Sequence, residues 1–236
     1  MMLVALLAMS ALGVDDKEAD EAVKRFRQSF ANPSATARAT AILELSKVPH
    51  EKTLKTIIPF LSGDVPEVRV AAAKGMGSYT DYKKLASPML MAALSSNAKE
   101  YDVKAAIYAS MGTLNDDMFV SEVVKAFKED RIKVAKAALS AAGSMRRKEL
   151  IDSMIELGND IEKWIKNKQS GGYRGDDGQQ GDENQQKTRL EDLQKHLVKC
   201  LAEITGEKWG SFKEWNIWWG RKKATFEVPP KEEKKK

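Results

Sequence analysis

The chain has 236 residues, with 39 Lys and Arg against 34 Asp and Glu, one Cys and two His. One Cys excludes an internal disulfide, and one Cys with two His excludes a zinc site of four cysteines or of two cysteines and two histidines. The formal net charge of +5 and a mean hydropathy of −0.46 describe a soluble, charge-rich chain, and no apolar run reaches the roughly 18 residues that cross a bilayer.

In chain order, Met1 to Val14 reads MMLVALLAMSALGV, without a charge, and is followed by Asp15 and Asp16. A short apolar run ending in small residues fits the core of a secretory signal, with Ala11-Leu12-Gly13 as the cleavage region, although no Lys or Arg precedes it. The expectation is an exported protein with residues 1–14 as a signal or apolar leader. A cytoplasmic protein whose first helix packs on its neighbour is the alternative. Next, Ala19, Ala22, Val23, Phe26 and Phe30 form one helical stripe that Asn32-Pro33 ends, which predicts an N-terminal capping helix.

Internal repetition dominates residues 34–166. Four stretches share a basic residue, a run of alanines and a small-residue end. They are Arg38 to Ser46, Arg69 to Gly77, Lys104 to Gly112 and Ala135 to Gly143, with starts 31, 35 and 31 residues apart. A Gly closes three of them, which predicts helix stops. Each is followed by a bulkier amphipathic stretch: Leu54, Ile57, Ile58 and Leu61; Leu85, Met89, Leu90 and Leu94; Phe119, Val120, Val123, Val124 and Phe127; Leu150, Ile151, Met154, Ile155 and Leu157, running on to Trp164. The i, i+3, i+4, i+7 spacing is helical. Asp64-Val-Pro-Glu67 predicts a helix start capped by Asp64. The unit is therefore a helical hairpin used four times. Small first helices let neighbours approach, bulky second helices fill the groove, and stability comes from stacking.

The run Asp64-Val-Pro-Glu-Val-Arg-Val-Ala-Ala-Ala-Lys-Gly-Met-Gly77 resembles the HEAT repeat pattern D-x-x-x-V-R-x-x-A-A-x-x-L-G, with Met76 in place of Leu. No W-x-x-L-G-x-x-Y run supports a TPR array, and an armadillo unit needs about 40 residues and a third helix. The resemblance implies an all-α, right-handed α-solenoid of about four hairpins at 15–166, capped at both ends. It also implies that a partner lies on the concave face lined by second helices.

Residues 167–187 are nearly devoid of apolar side chains and predict a flexible polar linker. A leucine-striped helix follows (Leu190, Leu193, Leu197, Leu201), ended by Thr205-Gly206. The capping box Ser211 to Glu214 then opens a helix whose Trp215, Trp218 and Trp219 share one face. Residues 188–220 are thus expected to form a C-terminal hairpin. Its Thr-Gly-x-x-Trp-Gly and Trp-x-x-Trp-Trp pattern is similar to the closing segment of some bacterial HEAT-like proteins, which assigns Trp209, Phe212, Trp215, Trp218 and Trp219 to a structural cap. Arg221 to Lys236 is expected to be a basic, disordered tail that supplies most of the net charge.

No catalytic, cofactor-binding or metal-ligating set stands out. His196 and Cys200 share a helical spacing, but no second pair completes a site. His50-Glu51 is a single His-Glu pair, short of the several that HEAT-like iron enzymes use. Between Asp130 and Glu149, Arg131, Lys133, Lys136, Arg146, Arg147 and Lys148 stand without an acid and are the candidate partner-binding residues. The expected function is a non-enzymatic protein-interaction scaffold without a cofactor. The alternatives are binding of nucleic acid or an anionic surface through these basic residues, or a lyase-like or otherwise unrecognised enzyme.

Overall fold

The computed structural model describes residues 14–170 and 177–230, the side chains of 169–183 excepted. The described residues are helical and contain no strand. Residues 1–13, on which the export expectation rests, and the last six residues of the tail lie outside them. The helices gather into two compact units, divided after Ser110.

The first unit holds α1 (Asp16–Phe30), α2 (Ala35–Leu45), α3 (Glu51–Ile57), α4 (Pro66–Met76), α5 (Lys83–Ser96) and the start of α6 (Tyr101–Leu114), which runs across the division. Local chemistry sets these boundaries. The Asp15 carboxylate accepts from the Glu18 amide at 2.8 Å and caps α1. The His50 ring accepts from the Lys52 amide at 3.1 Å while the His50 amide donates to Thr53 Oγ1 at 3.1 Å, so this His is a helix cap. Pro59 lacks an amide hydrogen, and the chain tightens into a 3-10 turn over Ile58–Leu61. α1 packs on α2 and α3. Its Phe26 and Phe30 meet Phe60 at ring separations of 5.8 and 4.4 Å, and Lys52 reaches back to Asp20 at 2.8 Å.

The expected cap of α4 is different in the structure. Val65 occupies the capping position without a side-chain bond, and Pro66 opens the helix. Asp64 sits one residue earlier in the left-handed region, φ 77°, and its carboxylate turns to the Val65 amide and to Arg38.

The second unit holds the end of α6, then α7 (Val120–Ala126), α8 (Ile132–Met145), α9 (Ile151–Ser170), α10 (Asp177–Thr205) and α11 (Phe212–Lys222). α10 pairs with α8 and α9. Its bonds to α8 run in parallel order, Lys136 to Asp192, Ser140 to His196 and Arg146 to the Glu203 carbonyl. The polar stretch 167–187 is helical on both flanks of the undescribed 171–176, since α9 continues to Ser170 and α10 begins at Asp177. Gln, Glu and Lys are good helix formers even where no apolar periodicity marks them. α11 also departs from the expected hairpin with α10, because it docks mainly on α9, in antiparallel order. Phe212 sits against Gly158, Asn216 bonds Asn159 at 2.8 Å and Trp219 reaches Asp152. The tail is ordered as far as Pro230, with Phe226 packed on Trp218 and Trp219.

Of the three repeat glycines, only Gly77 stands at a helix end. Gly112 and Gly143 lie inside α6 and α8, and Gly77 caps α4 with φ −63°. What they provide is close approach. A Cβ on Gly112 would stand 2.7 Å from Ala141 Cα, and one on Gly143 would stand 3.4 Å from Cys200 Cβ and 2.7 Å from Glu203 Oε2. In the first unit, one on Gly75 would meet Ser46 Cβ at 3.0 Å and one on Gly77 would meet Ser110 Oγ at 3.2 Å. First helices thus stack on one another through Gly, Ala and Ser. Bulky side chains such as Leu54, Ile57, Leu90, Phe119, Leu150 and Met154, all fully buried, fill the second-helix layer. The tightest seat is Gly158, where a Cβ would overlap the Phe212 ring at 2.0 Å. Two substitutions test this packing by chemical denaturation. Gly112→Val, opposed by backbone, and Gly158→Ala, opposed by a locked ring, are each expected to cost about 1–3 kcal/mol, more than offsetting the roughly 1 kcal/mol gained by removing a helical glycine.

Candidate functional site

The basic residues of the repeat signature are structural clasps. Arg38 of α2 holds Asp64 through two bonds, Nε to Oδ2 at 2.8 Å and Nη2 to Oδ1 at 2.6 Å, and also donates to the Pro33 carbonyl at 2.6 Å. One repeat on, Arg69 donates to the Asp64 carbonyl at 3.0 Å and to Asn97 Oδ1 at 2.9 Å. Buried Asn97 then donates to the Leu61 and Ala93 carbonyls, both at 2.8 Å. The Arg38 hydrogen bond, opposed by partial burial, keeps the Asp64 carboxyl below its ordinary value.

Three of the six candidate basic residues are engaged in the same way within the second unit. Arg147 donates to Asn115 Oδ1 at 2.7 Å and to the Asn115 carbonyl at 2.8 Å, and it pairs with Asp117. Lys136 pairs with Asp192. Arg146, itself left-handed at φ 50°, donates to the carbonyls of Glu203 and Pro229. Arg131 and Lys133 are exposed and Lys148 is half-buried. The sequence brings the six together by number. The folded chain commits Lys136, Arg146 and Arg147 to its own carboxylates and carbonyls.

The aromatic residues of the C-terminal segment turn inward. Phe212, Trp215, Trp218 and Trp219 are buried and Trp209 is half-buried. Trp219 donates from Nε1 to Asp152 Oδ1 at 2.8 Å, and Lys223 reaches the same carboxylate at 2.9 Å. Burial raises the Asp152 carboxyl, but the bonds from Lys223 and Trp219 outweigh it and leave the group below its ordinary value. The indole N–H groups of Trp209 and Trp215 are buried with no acceptor among the described residues.

His196 and Cys200 have structural partners. Cys200 is buried against Gly143, and burial pushes its thiol up to about 12. His196 is half-buried, which lowers its imidazole below the ordinary value. Its Nε2 lies 3.1 Å from the Lys136 carbonyl and 2.8 Å from Ser140 Oγ. A carbonyl only accepts, so Nε2 carries the hydrogen and is not placed to take the Ser140 proton. No cluster of three or more metal-ligating side chains exists among the described residues.

Open grooves lie in both units, and two of them have apolar linings. The first, of about 780 Å³, lies between α1 and α2 over Ala22, Phe26, Ala41 and Leu45. The second, of about 430 Å³, lies where α9 and α10 extend past the loop before α8, with Phe127, Leu157, Ile161 and Leu193 as its floor and Trp164 at its side. The second takes Gln186, Arg189, Leu190 and Leu193 from α10, and it exists because α10 folds beside α9, which spacing in the sequence does not encode.

A third feature is a helix face. On α5, Ala86, Leu90, Ala93 and Leu94 turn inward, while Leu85, Pro88, Met89 and Ala92 form a second apolar stripe that is half-buried or exposed.

The family model for HEAT repeats matches residues 20–109, from α1 into α6. Residues 20–109 carry HEAT repeats. Such repeats are generally protein-interaction scaffolds. No curated protein matches the chain. The HEAT clasp of Arg38 and Asp64 predicts a pH signature. A carboxyl held low in the folded state contributes stability above its unfolded value near 4, and that contribution is lost as pH falls through the folded value. Thermal melts across acid pH should therefore show Asp64→Asn less stable than the native chain at neutral pH, with the difference shrinking on acidification. An equal difference at all pH values refutes the clasp.

Proposed function

We propose that the chain is a non-enzymatic scaffold that holds a protein partner against the second helices of its HEAT repeats. The outward apolar stripe of α5, formed by Leu85, Pro88, Met89 and Ala92, carries this reading. Besides its buried Leu90 and Leu94, α5 keeps half-buried Leu85 and Met89 beside exposed Pro88 and Ala92, and an apolar stripe partly open on an ordered helix is characteristic of a partner surface. Commitment of the signature arginines to clasps supports the same reading, since their charge serves the array.

The test uses the full chain. Partners captured from the source cells by the native protein are compared with those captured by Met89→Glu/Ala92→Glu and by a control charge change on α11, Lys213→Glu. Helicity is checked by circular dichroism. The expected result is a specific partner recovered by the native and control proteins and reduced at least about tenfold with the α5 variant. Equal recovery by a correctly folded α5 variant rejects this face.

A further inference from the structure

After α11 the chain does not leave the protein. Lys223 anchors on Asp152 at 2.9 Å, and residues 226–230 then run without helix back towards the C-terminal end of α10. Phe226 presents its ring edge-on to both Trp218 and Trp219, with centroids 5.5 Å away in each case, while the two indoles stack on each other at 5.6 Å. Glu227 points to solvent, whereas Val228 and Pro229 are half-buried. Arg146 donates from Nη2 to the Pro229 carbonyl at 2.5 Å and from Nη1 to the Glu203 carbonyl. Gly206, at φ 76°, ends α10 in the left-handed region, and the Pro229 ring lies beside it, 3.5 Å from where a Cβ would stand. The seam between α10 and α11 is thus a built site for an extended peptide. It has an aromatic slot and a cation for the carbonyl three residues on.

We propose that this seam is a peptide-recognition site held by the chain's own residues 223–230 as a resident ligand. Its outside partner is an extended protein segment with the same chemistry, an aromatic residue followed three positions later by proline. The tethered segment competes at the millimolar effective concentration of a short linker, so the seam stays closed to weak segments and opens to a strong one. The partner surface is separate from the α5 stripe, and either assignment can fail alone.

The experiment titrates a synthetic peptide of residues 223–230 into the full native chain and into full-length Phe226→Ala, following tryptophan fluorescence and calorimetry. Phe226→Ala is expected to keep its helicity and bind the peptide saturably. The native chain should bind at least about tenfold more weakly, and a peptide with alanine in place of its phenylalanine should not bind. Three outcomes overturn the proposal. One is a folded Phe226→Ala that binds no peptide. Another is equal binding by both proteins, which removes the competition. The third is loss of helicity in Phe226→Ala, which makes the segment part of the fold.

Discussion

Everything in this chain depends on how closely successive first helices approach. Helices approach closely through Gly75 and Ser46, Gly77 and Ser110, Gly112 and Ala141, and Gly143 and Cys200. Dispersion falls off within an ångström, so the small residues convert adjacency into attraction. They bring little hydrophobic area, which explains why the second helices carry the bulk and why an isolated hairpin has too little to bury. The aromatic end follows the same rule. Gly158 is vacant of side chain so that Phe212 can seat α11 on α9.

Polar groups act within that frame as registers. A small-residue seam has little to oppose sliding by one turn, because alanine faces repeat. Arg38 on Asp64, Arg69 on Asn97 and Arg147 on Asn115 each tie a side chain to one loop in the neighbouring repeat, and a one-turn slip breaks the bonds. The loop residues adopt backbone that their roles require. Asp64 and Asn115 are left-handed, a conformation that Asp and Asn tolerate better than other side chains. The basic excess read from composition is therefore partly the charge of these ties.

The sequence makes the repeats legible because alanine-rich and bulky faces both recur with helical spacing, and α1 to α9 follow that spacing. It also places Phe212, Trp215, Trp218 and Trp219 on one inward face through i, i+3, i+4 arithmetic and the capping box at Ser211. Other features depend on tertiary neighbours that no spacing encodes. Gly112 and Gly143 look like stops because a terminal glycine and a close-contact glycine are the same residue in a sequence. The start of α10 at Asp177 is hidden because an all-polar helix has no stripe. The packed segment 226–230 reads as tail until Trp218, Trp219 and Arg146 are in place to receive it. The basic residues from Arg131 to Lys148 read as a surface until the acceptors Asn115, Asp192 and Glu203, distant in sequence, fold beside three of them.

The single thiol has a practical consequence. Cys200 sits at the contact between α8 and α10, shielded by Gly143 and kept protonated by burial. A thiol reagent can reach it only when that seam parts, so its labelling rate counts openings of one defined joint while the rest of the array remains folded. The chain carries its own clock for the fraying of its C-terminal repeats, with no second cysteine to confuse the reading.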